Sequence, residues 1–178
     1  NAIRNSTNGE LTCLASRDIA KAREYADVFK CEAENSYEEV LKRKDINAVY
    51  IPLPVALHEH WCIRAAEEGK HIICEKALAD NFESCQRIIS AAKKNKVLIV
   101  ENFMCDFHTQ HKVVLDNIHR NILGEINVFF GKFGFPPLHQ DNIRNQKILG
   151  GGALNDTGAY LIFMARKIFN SEPIEAHV

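Results

Sequence analysis

From residue 10 to about residue 100 the chain alternates short apolar runs with stretches whose apolar residues recur at helical spacing. The clearest instance is Asp45–Ala77, DINAVYIPLPVALHEHWCIRAAEEGKHIICEKA. Ala48–Ile51 predicts a strand. Pro52 and Pro54 stop it, because each lacks an amide donor and fixes its own φ. Leu57, Trp61 and Ala65 then stand at i, i+4 and i+8, one face of a helix. Gly69 suits the C′ position of that helix, with Lys70 directly after it. His71–Cys74 predicts a second, buried strand, and Glu75-Lys76 falls at its carboxyl end. Two strands joined by one helix make a right-handed βαβ unit with parallel strands. In open α/β sheets ligands sit beyond the carboxyl ends of the strands, where the Pro-Leu-Pro loop and Glu75-Lys76 both fall.

The same alternation extends to either side. Asn1–Gly9 shows no clear pattern and reads as the tail of a helix and a turn. Glu10–Ala15 predicts a strand followed by Ser16-Arg17-Asp18, with Asp18 placed to cap a helix carrying Ile19, Ala22, Ala26 and Phe29 on one side. Cys31–Asn35 reads as a link or a minor strand. Ser36–Glu39 is a capping-box sequence ahead of Val40 and Leu41. Asp80–Glu83 opens another helix, with Phe82, Cys85, Ile88, Ile89 and Ala92 at helical spacing. Lys93, Lys94 and Lys96 close it, where the helix dipole favours cations. Val97–Val100 predicts a further apolar strand ending in Glu101. Short strands and helices in alternation are the signature of a doubly wound parallel sheet.

Beyond Phe103 the pattern changes. Val113, Val114, Ile118 and Leu123 predict a helix ending at Gly124. Glu125–Phe135 predicts a long strand with Gly131 and Gly134, suited to a more open sheet, and Pro136-Pro137 breaks it. Gly150–Gly152 leads into a helix from Ala153 to about Phe169, and a last strand is expected near Ile174. The chain is therefore divided into residues 1–103 and 104–178.

Composition narrows the class. Of 178 residues, 46% are hydrophobic, so a packed core is expected. A net charge of −1, from 22 basic and 23 acidic side chains, argues against a nucleic-acid binder, which needs a basic excess or stripe. No apolar run approaches the roughly 20 residues that span a bilayer, so no membrane partner is expected. The six cysteines show no CxxC spacing and read as small buried hydrophobes in a reducing cytoplasm.

Three residues suggest chemistry. Lys76 sits where a parallel strand ends, and Asp156 and Tyr160 are four apart on one helix face. A lysine, a carboxylate and a tyrosine around one pocket suit hydride transfer, in which a cofactor carries the hydride and the protein supplies position and a proton. Free tyrosine has a pKa of about 10, and a nearby Lys⁺ is expected to lower it by roughly 1–3 units. Lys76 also suits hydrogen bonding to a reacting oxygen as negative charge builds there. Asp156 suits a substrate hydroxyl or the orientation of Lys76. Each has a plainer reading: a solvated lysine, a packed aromatic ring, and a first-turn carboxylate favoured by the helix dipole. At Ser16-Arg17, an arginine accommodates the 2′-phosphate of NADP where an acidic residue would bind the ribose of NAD; an exposed arginine in a helix-start turn is equally open. His58 and His60 point to two helix faces, and His108 and His111 lack a third ligand, so no metal site is expected. His58 reads as a cofactor-side contact or a loop hydrogen bond.

These residues together resemble a family. AVYIPLPVALHEHWCIRAAEEGKHIICEKAL, VENFMCDFHTQ, LGEINVFFGKFGF and IRNQKILGGGALNDTGAYLIFMARKIF follow in the order of the glucose–fructose oxidoreductase/inositol dehydrogenase (Gfo/Idh/MocA) oxidoreductases. The resemblance implies an α/β fold: an incomplete Rossmann-type parallel sheet, then part of an α+β domain with an open mixed sheet. It implies NADP, with NAD as the alternative, and a sugar or sugar-like diol as substrate. It implies a homo-oligomer for the full-length protein. It places the catalytic roles on Lys76, Asp156 and Tyr160, and cofactor contacts on Ser16, Arg17, Pro52, Leu53, Pro54, His58, Glu75 and Lys76. Arg144, Asp156 and Tyr160 fall on the substrate side. Ala77 stands where the family usually has proline, and Cys105-Asp106 and Thr109 replace the common Tyr-Arg and Pro. The family's glycine-rich turn is expected before Asn1 and more of the second sheet after Val178, so the chain reads as an internal fragment. The alternative is a truncated or regulatory member with weak or no cofactor binding.

Overall fold

The computed structural model describes residues 2–177, and strands and helices alternate through its first half. Strand β1 (Cys13–Ala15) leads through α1 (Ile19–Phe29) to β2 (Glu32–Glu34), which pairs with β1 in parallel. Asp18 starts α1 by accepting a hydrogen bond from the Ala20 amide at 2.9 Å. Helix α2 (Tyr37–Lys42) starts at Ser36, whose hydroxyl accepts from the Glu39 amide at 3.2 Å. Then come β3 (Ala48–Ile51), α3 (His58–Glu67), β4 (His71–Glu75), α4 (Phe82–Lys94) and β5 (Ile99–Asn102). The last three strands form a parallel sheet in the order β3-β4-β5. Gly69 follows α3 at φ +71°, the left-handed conformation that ends a helix. Asn81, one residue later than the expected Asp80, caps α4 by accepting from the Ser84 amide at 2.8 Å.

The parallel α/β architecture agrees with the incomplete Rossmann-type sheet that the resemblance implies. The strands make two separate sheets, β1-β2 and β3-β4-β5, because no described strand pairs with both β1 and β3. The strands of the larger sheet are also covered on one side only. Val49, Ile51, Ile72 and Cys74 are buried, whereas Tyr50, Ile73 and Val100 are 46%, 42% and 46% exposed. Strand residues alternate between faces, and α3 and α4 cover just one of them. That face holds the core. Cys62, Ala65 and Ala66 of α3 are small and fully buried, which lets the helix lie close on the sheet, with Ile88 of α4 beside it.

A charged joint ties the two sheets. Lys70 is buried, and its ammonium donates to the carbonyls of Arg43 at 2.5 Å and Ile46 at 2.9 Å. Arg43 pairs with Glu32 and, at 2.7 and 2.6 Å, with Glu34 and Asp45, so β2 is fastened to the segment that enters β3.

Beyond Phe103 the chain forms α5 (Thr109–His119) and α6 (Ala159–Phe169), with Leu154–Gly158 wound as a π-helix just before α6. Three expectations are corrected here. Helix α5 ends well short of Gly124, where Asn121 turns left-handed at φ 55°. Glu125–Phe135 is not a strand, and neither is the stretch at Ile174. A strand needs a ladder for its amides and carbonyls. No described segment offers one, and Val128 and Phe130 are 80% and 88% exposed. Among the described residues, every buried hydrophobic one lies at or before Phe103. No described helix is long and apolar enough to cross a membrane.

Two stability predictions follow from these contacts. Lys70→Met keeps the packed stem but leaves the part-buried carbonyls of Arg43 and Ile46 without the ammonium donor. It is expected to lower the unfolding free energy by about 1–3 kcal/mol, read as a lower urea midpoint at unchanged slope; an unchanged midpoint would rule the joint out as a source of stability. Glu59 of α3 is gripped by Arg87 and Ser84 of α4, and the arginine first, then the serine hydroxyl, lower its carboxyl from 4.5 to about 2. A depressed carboxyl contributes stability above its unfolded value and loses it as pH falls. Stability should therefore drop between about pH 4.5 and pH 2, and Glu59→Gln should flatten that part of a pH series of denaturation midpoints.

Candidate active site

The carboxyl ends of β3 and β4 open onto a cleft of about 280 Å³. Strand β4 delivers Glu75 and Lys76 to it, and the chain beyond β3 forms its apolar wall with Pro52, Leu53 and Pro54. The Lys76 ammonium crosses to the second half of the chain. It donates to the backbone oxygen of Asp156 at 2.5 Å and pairs with Asp156 Oδ1 at 3.0 Å. Arg144 Nε holds the other carboxylate oxygen at 3.0 Å. Lys76 and Asp156 are 12% and 18% exposed in their side chains. The Lys76–Ala77 peptide is cis.

Tyr160 stands against this pair. The Lys76 nitrogen lies 4.9 Å from the centre of its ring, and Phe103 and Phe133 meet the ring edge-on, with centroids at 5.7 and 5.5 Å. From the sequence, a nearby Lys⁺ is expected to lower the Tyr160 pKa. The structure corrects this: the cation sits over the ring face and spends its charge on Asp156. Burial, then the negative charge of Glu75 and, behind it, that of Asp156, hold the Tyr160 phenol above the usual tyrosine range. At neutral pH it is a protonated donor. Tyr160 does not line the cleft that holds Lys76 and Asp156, as the expectation of one shared pocket had it; it borders a second, apolar cavity of about 450 Å³ with Met104, Cys105, His108 and Met164.

Two features of the site lie outside the sequence-predicted set. Tyr50 Oη and Asn102 Nδ2 both donate to Glu75 Oε1 at 2.6 Å, so one residue from each strand meets at the sheet's carboxyl edge. The signal was available: in a parallel sheet Glu75 pairs across from Asn102, and Tyr50 shares their face. The glycine run is the second feature. Gly150 sits at φ +77°, where a Cβ would come within 2.8 Å of Val55 and 3.0 Å of the Ala56 amide. A Cβ on Gly151 would meet the carbonyls of Ile143 and Arg144 at 2.6 Å. The Gly150 contact sets the turn before Asp156 against the Val55–Leu57 turn, and the Gly151 contact sets it against Ile143 and Arg144. The π-helical Leu154–Gly158 turn carries Asp156; such turns are frequent at functional sites.

Residues 1–103 match the Gfo/Idh/MocA family, described as an oxidoreductase family with an NAD-binding Rossmann fold. The chain belongs to that family. Over 157 residues it is 41% identical to the dTDP-3,4-didehydro-2,6-dideoxy-alpha-D-glucose 3-reductase of Saccharopolyspora spinosa, covering 88% of this chain and 47% of that protein. It is 30% identical over 168 residues to the trans-1,2-dihydrobenzene-1,2-diol dehydrogenase of Xenopus laevis, covering 94% of this chain and 51% of that protein. Its fold matches the 3-ketoreductase KijD10 of Actinomadura kijaniata, crystallised with NADP and TDP-benzene. The TM-score is 0.90 at 38% identity, over 94% of this chain and 52% of that one. The chain thus spans about half the length of these relatives.

Within this family member the remaining expected site residues separate into two groups. Pro52, Leu53, Pro54, Glu75 and Arg144 line the same cleft as Lys76 and Asp156. His58, Ser16 and Arg17 do not. His58 is fully buried behind the cleft, its Nδ1 2.9 Å from the Ala77 carbonyl and its Nε2 2.8 Å from that of Leu53. Of the two roles read from sequence it takes the loop hydrogen bond. Ser16 accepts from the Asp18 amide at 3.3 Å, and Arg17 is exposed at the start of α1, on the smaller sheet.

Gly150→Ala is expected to push the turn off Val55 at a cost of about 1–3 kcal/mol, seen as a lower denaturation midpoint together with shifted amide resonances of Val55–Leu57. Shifts confined to residues 149–152 would refute the close approach. In a spectrophotometric titration Tyr50, pushed up to about 12 by burial and then by Glu75, should ionise last. Tyr50→Phe should delete that step, and its persistence would contradict the Glu75 contact.

Proposed function

We propose that the protein is an NADP-dependent oxidoreductase acting at a carbonyl or hydroxyl carbon of a sugar or sugar-like diol, with a nucleoside-diphosphate keto sugar as the substrate class to test first. One observation carries this reading. Lys76 at a strand end and Asp156 and Tyr160 on the later helical segment, far apart in sequence, converge within hydrogen-bond and ring-contact distance. The named reactions of the relatives, and the NADP bound to KijD10, support the cofactor and the sugar-like substrate. On this reading residues 1–103 form the dinucleotide half and 104–178 the substrate half.

The residues suit such a cofactor. The cleft lies at the carboxyl edge of a parallel sheet, where dinucleotides bind in folds of this kind. Pro52, Leu53 and Pro54 give a flat ring an apolar wall, and Ser16-Arg17 suits a 2′-phosphate. When bound, NADP supplies or accepts the hydride. Lys76 donates a hydrogen bond to the reacting oxygen, where negative charge develops. Asp156 fixes the ammonium, and Arg144 fixes Asp156. Tyr160 keeps its proton because burial disfavours the phenolate, which suits it to give that proton to the oxygen as a ketone is reduced. A non-catalytic binder has no need of this constellation, so the constellation favours the enzyme.

The test is transfer of deuteride from 4-deuterated NADPH to a dTDP-linked 3-keto sugar, followed by mass spectrometry. Tyr160→Phe and Lys76→Met are each expected to lower kcat/KM by about 10²–10⁴-fold. Undiminished turnover in either variant would remove that residue from the mechanism.

A further inference from the structure

His58 presents an accounting problem that its position resolves. The side chain is fully buried. Its two ring nitrogens face two backbone carbonyl oxygens, Ala77 at 2.9 Å and Leu53 at 2.8 Å. A carbonyl oxygen accepts and never donates, and a neutral imidazole has one N–H. With one proton on the ring, one of these contacts would set a nitrogen lone pair against an oxygen lone pair inside the protein. Turning the ring over would replace both nitrogens with carbons and leave two buried carbonyls facing C–H groups. Two protons on the ring satisfy both carbonyls at once.

We infer that His58 is a buried imidazolium that clamps the Leu53 carbonyl to the Ala77 carbonyl, and that this clamp positions Lys76 across the cleft from the Pro-Leu-Pro loop. The two carbonyls belong to the two strand-end segments that line the cleft, since Leu53 follows β3 and Ala77 follows Lys76. Bridging them sets the distance between the apolar wall and the ammonium.

The surroundings supply the counter-charge. Glu101 of β5 is within electrostatic reach of His58, and its Oε1 accepts from the Leu78 amide at 2.7 Å, one residue from Ala77. The line Glu101, Leu78, Ala77, His58, Leu53 therefore crosses all three strand ends of the larger sheet. The other charged and titratable groups on the packed elements are turned elsewhere or neutral. Lys76 is turned to Asp156, and Glu59 of α3 to Ser84 and Arg87 of α4. The Cys74 thiol is pushed up by Cys62 and then by burial, and the Cys85 thiol chiefly by burial, so both stay uncharged near neutral pH. Glu101 itself is held above the ordinary carboxyl range by burial, which the Leu78 amide, His58 and Arg166 oppose.

The clamp's bearing on turnover rests on the oxidoreductase reading above; its protonation and its grip on two carbonyls do not. The test uses the 178-residue chain with ring-¹⁵N histidine, ¹³C-carbonyl and ¹⁵Nζ-lysine labels, observed by NMR. Near neutral pH both His58 ring nitrogens should resonate as protonated nitrogens, with scalar couplings to the Leu53 and Ala77 carbonyl carbons. A widely split pair, one nitrogen protonated and one bare, would overturn the assignment. In His58→Gln, whose amide has one donor nitrogen for the two carbonyls, the Lys76 Nζ resonance should shift. A Lys76 resonance unchanged in that folded variant would overturn the positioning role, whatever the outcome of the turnover assay.

Discussion

The contact on which the rest of the site depends is the one between Lys76 and Asp156. It joins groups 80 positions apart and links the β3-β4-β5 sheet to the helical segment after the glycine run. Charge pairs this deeply placed cost desolvation and stabilise a fold only when their other hydrogen bonds are satisfied. Here they are: Lys76 has both the carboxylate and the backbone oxygen of Asp156, and Asp156 has Arg144 on its second oxygen. With one carboxylate held by two cations, neither partner is free to swing out of the cleft. The pair acts as an alignment device more than as a source of stability.

That alignment depends on how closely the backbone can approach. The glycine turn touches the Val55–Leu57 turn at a distance that excludes even a methyl group. On the sheet side, the fully buried Cys62, Ala65 and Ala66 set α3 against β3 and β4, and the strand ends project beyond it. Small residues thus do two jobs in the same region. They bring α3 down onto the sheet, and they bring a segment from the second half of the chain up to the sheet's edge.

Electrostatics then divides the labour. The ammonium of Lys76 lies over the Tyr160 ring, 4.9 Å from its centre, and is paired with Asp156. Burial and the nearby acids act on the hydroxyl and keep it protonated. Glu75, held by Tyr50 and Asn102, contributes to that field while its position is fixed by the sheet register.

Much of this was legible in the residues before any coordinates. Pro52 and Pro54, Gly69, the caps at Asp18 and Ser36 and the alternation of apolar periods located the elements, because these signals act over one or two turns of chain. The motif order located Lys76, Asp156 and Tyr160, because a strand end and a helix face are local properties. What the residues could not convey was non-local. Glu125–Phe135 has the composition of a strand, yet a strand exists only where another segment supplies hydrogen bonds, and none of the described chain does. The open face at Tyr50, Ile73 and Val100 and the burial of His58 likewise follow from what packs against what. So does the direction of the Tyr160 shift: sequence determined that a cation and a phenol would be neighbours, and only the tertiary structure decided how deeply the phenol is buried and which acids stand near it, because charge effects turn on distances of a few ångströms that no spacing along the chain encodes.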